Sequence, residues 1–146
     1  MKLKILLALS MLVLTGCNPL LIFPGGELDG TISTTPQDWS EAANIKTVQL
    51  ETRPNDPYSV NIWAIGIGSI LYVHAGENRA TWVEHMEGDP NVRIRIGEKL
   101  YALRATRTTD QSEFDAFSNA YEKKYDRRPR NENAKQAYLF RLESKG

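Results

Sequence analysis

The sequence predicts an α+β domain, a small antiparallel barrel or strongly curled sheet of about six strands with two or three short helices, preceded by a signal peptide and a tether. Three observations carry this expectation. Hydrophobicity alternates with period two in most of the stretch after Ile45, Gly, Pro, Asn and Asp cluster at hairpin intervals, and helical spacing appears only in short inserted segments. At 146 residues there is room for one core. Eighteen basic and eighteen acidic side chains leave no net charge, which argues against nucleic acid as a partner. The single cysteine, Cys17, excludes an internal disulfide.

Residues 1–16 open with Lys2 and Lys4 and continue as the apolar run Ile5 to Leu14, too short for a comfortable membrane span and suited to a secretory signal. Leu14-Thr15-Gly16-Cys17 resembles the lipobox of bacterial lipoproteins. The resemblance implies cleavage before Cys17 and its lipidation, hence attachment to a membrane without spanning it. Asn18 after the cysteine implies, by the same likeness, the outer membrane of a Gram-negative cell envelope, on its periplasmic side. Residues 17–35 contain Pro19, Pro24, Gly25, Gly26 and Gly30 and read as a tether with one short strand near Gly30 to Ser33. Residues 36–146 form the domain.

Thr35-Pro36-Gln37-Asp38 reads as a helix start, with Thr35 as N-cap and Pro36 in the first helical position. Val48, Leu50 and Thr52 alternate with Thr47, Gln49 and Glu51 as a half-buried strand. The turn Arg53 to Pro57 follows, then strands over Ser59 to Ile67 and Ser69 to Ala75 about Gly68. Their parity puts Trp63, Ile65, Ile70, Tyr72 and His74 on one face and Ile62, Ala64, Leu71 and Val73 on the other, both apolar, so this hairpin is covered on both sides. Glu77 to Glu87 has helical spacing at Trp82, Val83 and Met86, with Asn78 as N-cap and Gly88-Asp89-Pro90 as stop.

Gly97-Glu98 suits a type II′ turn, pairing Ile96 with Lys99, Ile94 with Tyr101 and Val92 with Leu103. Arg93 and Arg95 then share the opposite face with Leu100, Ala102 and Arg104. Asp110 or Ser112 caps a helix to about Lys124 whose stripe is Phe114, Phe117, Tyr121 and Tyr125. The charged stretch Asp126 to Asn133 reads as a mobile loop, and Ala137 to Glu143 as a last strand with Tyr138, Phe140 and Leu142 on one face.

The order of Glu51-Thr52, Ile62-Trp63, Leu71-Tyr72-Val73, Trp82-Val83, Asp89-Pro90-Asn91-Val92 and Tyr121-Glu122-Lys123-Lys124-Tyr125 resembles the FMN-binding split β-barrel superfamily, in its deazaflavin-dependent nitroreductase-like branch. The likeness runs from about Trp39 to Leu142. It implies a six-stranded split barrel, often a homodimer, holding FMN or a deazaflavin in a cleft, and it places Lys124 and Tyr125 near that cleft. Members that bind cofactor usually carry a Gly and basic residues between the first two of these strands. Here the stretch is Arg53-Pro54-Asn55-Asp56-Pro57-Tyr58, in which Asp56 opposes the one arginine.

No catalytic motif stands out. Gly66-Ile67-Gly68-Ser69 matches neither a nucleophile elbow nor a dinucleotide fingerprint, and His74 and His85 have no third partner at metal spacing. The candidate ligand-binding residues are Trp63, Tyr72, His74, Arg79, Trp82, Arg93, Arg95 and Lys124. His74 reads either as a contact to a flavin edge or as a histidine satisfied inside the core. Arg79, Arg93, Arg95 and Arg104 read either as an anion site or as the solvated face of a strand. The expected function is a lipid-anchored envelope protein binding a small ligand or partner. The alternative is a flavin- or deazaflavin-dependent oxidoreductase.

Overall fold

The computed structural model describes residues 25–146; the signal stretch 1–16 and Cys17 lie outside the described residues. The elements are β1 (Thr31–Ile32), β2 (Val48–Thr52), β3 (Tyr58–Ile62), β4 (Ala64–Ile67), β5 (Ile70–Ala75), α1 (Thr81–Gly88), β6 (Asn91–Ile96), β7 (Lys99–Thr108), α2 (Gln111–Tyr125) and β8 (Tyr138–Ser144). They form one curled sheet in the order β3-β2-β6-β7-β8-β5-β4, with β1 running parallel against the start of β7. All other pairs are antiparallel. The chain is therefore α+β, with a sheet curled as in a split barrel.

Alternation decides the inside. Val48, Leu50, Val92, Ile94, Ile96, Tyr101 and Leu103 from one half of the sheet meet Ala64, Leu71, Val73, Phe140 and Leu142 from the other. Trp82, Val83 and Met86 of α1 fill one end of this core. Each large aliphatic side chain buried here contributes about 1.5–3 kcal/mol. The β6–β7 register is the expected one, Ile96 with Lys99, Ile94 with Tyr101 and Val92 with Leu103. Gly97 alone of the two turn residues has a positive φ, +58°, as a type II′ turn requires.

The expected strand Ser59 to Ile67 is broken at Trp63. Up to Ile62 the chain pairs with β2, and from Ala64 it pairs with β5, so one residue carries it round the corner between the two ends of the sheet. The parity survives the break, with Ile65 opposite Tyr72 and Ala64 opposite Val73. Gly66 is required by packing. A Cβ there would lie 2.5 Å from the Cβ of Trp39, whose indole Nε1 donates to the carbonyl of Ser69 at 3.1 Å.

Two helix starts differ from expectation. Thr35 and Pro36 do not begin a helix. Asp38 Oδ1 accepts from Ser40 N at 2.6 Å, and only a 3-10 turn, Ser40–Ala42, forms before the chain enters β2. The turn is short because Trp39 is drawn into the core, where it meets Tyr101 edge-on at 5.1 Å. Helix α1 begins at Thr81 after Ala80, without a side-chain cap, so Asn78 is not its N-cap. In α2, by contrast, Asp110 Oδ1 accepts from Glu113 N at 2.7 Å, the expected capping bond.

Residues 25–33, within the described part (25–35) of the expected tether, lie along the outer face of the sheet as a strap. Gly25 exchanges backbone bonds with Ser59 of β3 at 2.8 and 2.9 Å. Leu28 N donates to Glu51 Oε2 of β2 at 2.6 Å, the Asp29 carbonyl accepts from Arg95 of β6 at 3.2 Å, and β1 reaches β7. The opposite outer face, made by β4, β5 and β8, is covered by α2, which packs Phe114 and Phe117 on Tyr72 and Leu139.

Candidate functional site

The aromatic stripe of α2 is longer than the sheet it covers. Phe114 and Phe117 are buried, whereas Tyr121 and Tyr125, one and two turns on, reach the corner at Trp63. Tyr125 stacks on the indole with ring centres 4.2 Å apart and planes 13° from parallel, and Tyr121 lies 5.9 Å away. The corner strands the backbone groups of Ala64, and the end of α2 satisfies them. Ala64 N donates to the Tyr125 hydroxyl at 3.1 Å, and the Ala64 carbonyl accepts from Lys124 Nζ at 2.7 Å. Lys124 also donates to the Ala42 carbonyl at 2.7 Å. Burial lowers the Lys124 pKa, and the same cause pushes the Tyr125 phenol up to about 12.

Asp126 ends α2 in the left-handed conformation, φ +56°. This turns the chain back and brings the Arg127 guanidinium 5.7 Å from the Trp63 ring centre, while Lys46 approaches the same ring at 5.8 Å. The following residues are held, contrary to the expectation of a mobile loop. Arg128 binds Glu132 at 2.5 Å and Glu122 at 2.7 Å, Asn131 donates to Glu77 at 2.7 Å, and Pro129 is buried.

Two cavities flank Trp63. One, of about 460 Å³, lies between Lys46, Lys124 and Tyr125; the other, of about 510 Å³, lies beneath Arg127 and Arg130 with His74 and Tyr121 in its wall. His74 sits among Phe114, Phe117 and Tyr121, with ring centres 5.8, 5.4 and 6.4 Å away. Its Nε2 is buried and has no partner among the described residues, and burial lowers its pKa to about 4. The ring is neutral near pH 7 and offers no cationic stabilisation of an oxyanion.

The expected site residues separate into groups. Trp63, His74 and Lys124 gather around the two cavities. Tyr72 shares the α2-covered face, but its hydroxyl donates to Glu113 Oε1 at 2.7 Å and it lines neither cavity. Trp82 is buried in the barrel interior, 6.3 Å from Phe140. Arg79 is exposed and paired with Glu87 and Glu84.

The expected arginine anion site is not assembled. Arg93 grips Glu51 with two bonds, 2.7 and 2.8 Å, and reaches Glu27 at 3.3 Å, while Arg95 is held by the strap. Glu51 is wholly buried, and its charge is what commits Arg93. The β2–β3 turn is likewise occupied, Arg53 pairing with Asp56 at 3.2 Å. Among the described residues no three or more His, Cys, Asp or Glu side chains cluster to hold a metal, and no helix is long and apolar enough to cross a membrane.

Sequence reasoning passed over Lys46, Arg127 and Arg130. A signal for the arginines was present in Arg127-Arg128-Pro129-Arg130, directly after a helix whose aromatic stripe outruns the hairpin it covers. Lys46 stands alone before β2 and carried no such signal.

No protein-family model matches the sequence, and no curated protein matches it either. Solved structures do match in shape. A candidate 5-nitroimidazole antibiotic resistance protein of Bacteroides thetaiotaomicron superposes with TM-score 0.55 at 14% identity, over 68% of this chain and 73% of its own. A candidate pyridoxamine 5′-phosphate oxidase of Listeria innocua gives 0.55 at 14%, over 69% and 85%. An FAD-binding protein of Mesorhizobium loti gives 0.51 at 13%, over 73% and 87%. At these identities the likeness establishes the fold, a split β-barrel, and nothing about the residues of the cleft.

Proposed function

We propose that this chain is a lipid-anchored, ligand-binding split barrel of the cell envelope, whose cleft at Trp63 takes a small planar ligand bearing negative charge, with a flavin or deazaflavin as the class to test. The observation that carries the ligand reading is the Trp63–Tyr125 stack beside a cavity of about 460 Å³, with Lys46 and Arg127 over the indole. An aromatic shelf offers dispersion to a flat ring, and cations at its rim that hold no carboxylate among the described residues favour a phosphate or carboxylate. That one protein sharing the fold, from Mesorhizobium loti, binds FAD adds to the reading. The membrane anchor rests on the Leu14-Thr15-Gly16-Cys17 pattern.

The residues present fit such a group at Trp63 and not at the β2–β3 turn, where Asp56 already neutralises Arg53. When bound, a flavin or deazaflavin supplies electron or hydride transfer. The chain's own part is to hold and orient it: Tyr125 backs the indole, Lys124 fixes the corner, and Lys46 and Arg127 meet the anionic end. An oxidoreductase is the second reading, favoured by the near-parallel stack of Trp63 on Tyr125, which offers a surface the size of a redox-active ring.

Quenching of FMN, riboflavin and deazaflavin fluorescence by the protein tests both. Micromolar binding that falls about tenfold or more in Trp63→Ala and in Lys46→Gln is expected; absence of binding at millimolar concentration removes both. For the anchor, radiolabelled palmitate should enter the wild type and not Cys17→Ser, and labelling of the variant would refute it.

A further inference from the structure

The larger cavity, beneath the loop that follows α2, is not absorbed by the flavin reading. Six of the ten arginines hold a carboxylate within 4 Å: Arg53, Arg79, Arg93, Arg107, Arg128 and Arg141. Among the described residues Arg127 and Arg130 hold none, yet both line this one cavity of about 510 Å³. Their neighbour Arg128 also lines the cavity but is paired with Glu122 and Glu132. Asp126 is the single carboxylate in the wall, set against the two free guanidinium groups and Arg128.

Gly76, Pro129 and three aromatic side chains complete the wall. Trp63, Tyr121 and His74 form a surface on which a ring of benzene size can lie, and His74 is uncharged there. The loop that carries the arginines is tied to α2 by Arg128–Glu122 and to Glu77 by Asn131, so its backbone is ordered before a ligand arrives. Tilted aromatic rings beside two guanidinium groups that hold no carboxylate among the described residues match one chemical class.

We infer that this cavity is a binding site for a small aromatic anion, an aryl carboxylate or aryl phosphate, with its acidic group on Arg127 and Arg130 and its ring against Trp63, Tyr121 and His74. The site shares Trp63, Asp126 and Arg127 with the first cavity, while Arg130 and His74 line only this one and Lys46 and Lys124 only the other. The inference therefore stands or falls separately from the flavin reading.

The test follows the ring resonances of His74 by NMR on titration with benzoate or phenyl phosphate, with benzamide as the neutral analogue and inorganic phosphate as the ring-free one. There are two histidines in the chain, and His85→Gln assigns the signal. A saturable shift of His74 is expected for the aryl anions, weakened about tenfold or more by Arg130→Gln and not by Lys46→Gln, with flavin binding retained in Arg130→Gln if the flavin reading is right. No saturation at millimolar concentration overturns the inference, as does an equal response to benzamide or to inorganic phosphate. Indifference to Arg130→Gln overturns it too.

Discussion

On one side of the barrel α2 lays Phe114 and Phe117 over Tyr72 and Leu139; on the other, residues 25–33 cross β3, β2, β6 and β7 without a single aromatic. The first covering is held by dispersion and apolar burial. The second is held by backbone bonds and by one buried carboxylate, Glu51, whose two oxygens accept from Arg93 Nε and Nη2 and from Leu28 N. The contrast bears on where a ligand can sit. An aromatic cover can be extended past its sheet to make a shelf, as Tyr121 and Tyr125 do, whereas a charge-locked strap consumes the arginines beneath it.

The comparison is tested most severely at Arg93. Its replacement by Met strands the Glu51 carboxylate in the interior with one backbone donor, and the loss expected in urea unfolding is about 3–5 kcal/mol. Glu51→Leu together with Arg93→Met should restore much of that, because no unpaired charge remains. On the aromatic side Phe117→Ala should cost about 3 kcal/mol through the cavity it leaves, and no second substitution of opposite charge should rescue it.

The pH dependence of the two faces should differ as well. His74 binds its proton at about pH 4 in the folded protein against an ordinary value near 6.5, so the unfolded chain takes up the proton first. Its penalty is absent above pH 6.5, grows as pH falls and is complete below about 4. His74→Leu should flatten the stability profile across that window, by a slope of up to roughly 1.4 kcal/mol per pH unit, and an unchanged slope would remove His74 as its source. The smallest effect is expected at the start of α2, where Asp110→Ala should cost about 1 kcal/mol by thermal unfolding.

Much of the barrel was legible because alternation and turn chemistry are local. Gly97-Glu98 alone specified six cross-strand pairs, and the spacing of Phe114, Phe117, Tyr121 and Tyr125 specified the buried stripe of α2. What was not legible depends on distant partners. Glu51 looked like the exposed member of an alternating strand and is buried by a segment more than twenty residues earlier. Trp63 looked like a mid-strand residue, and only pairing with two different neighbours makes it a corner. The arginines of β6 were visible as a face, but what lies over that face is not a property of β6. Among the candidate residues, Trp63, His74 and Lys124 assembled on the α2 side without Tyr72, and Arg93 and Arg95 on the opposite face were already held by Glu51 and the strap.

The strap also bears on geometry at the membrane. Read as a free tether, residues 17–35 would let the domain roam some 60 Å from a lipid attached at Cys17, at about 3.5 Å per extended residue. With Gly25 fastened to Ser59, only eight residue steps separate the attachment point from the barrel, a reach of about 28 Å. Under the proposed lipidation of Cys17, the barrel would stay within about 28 Å of the headgroups.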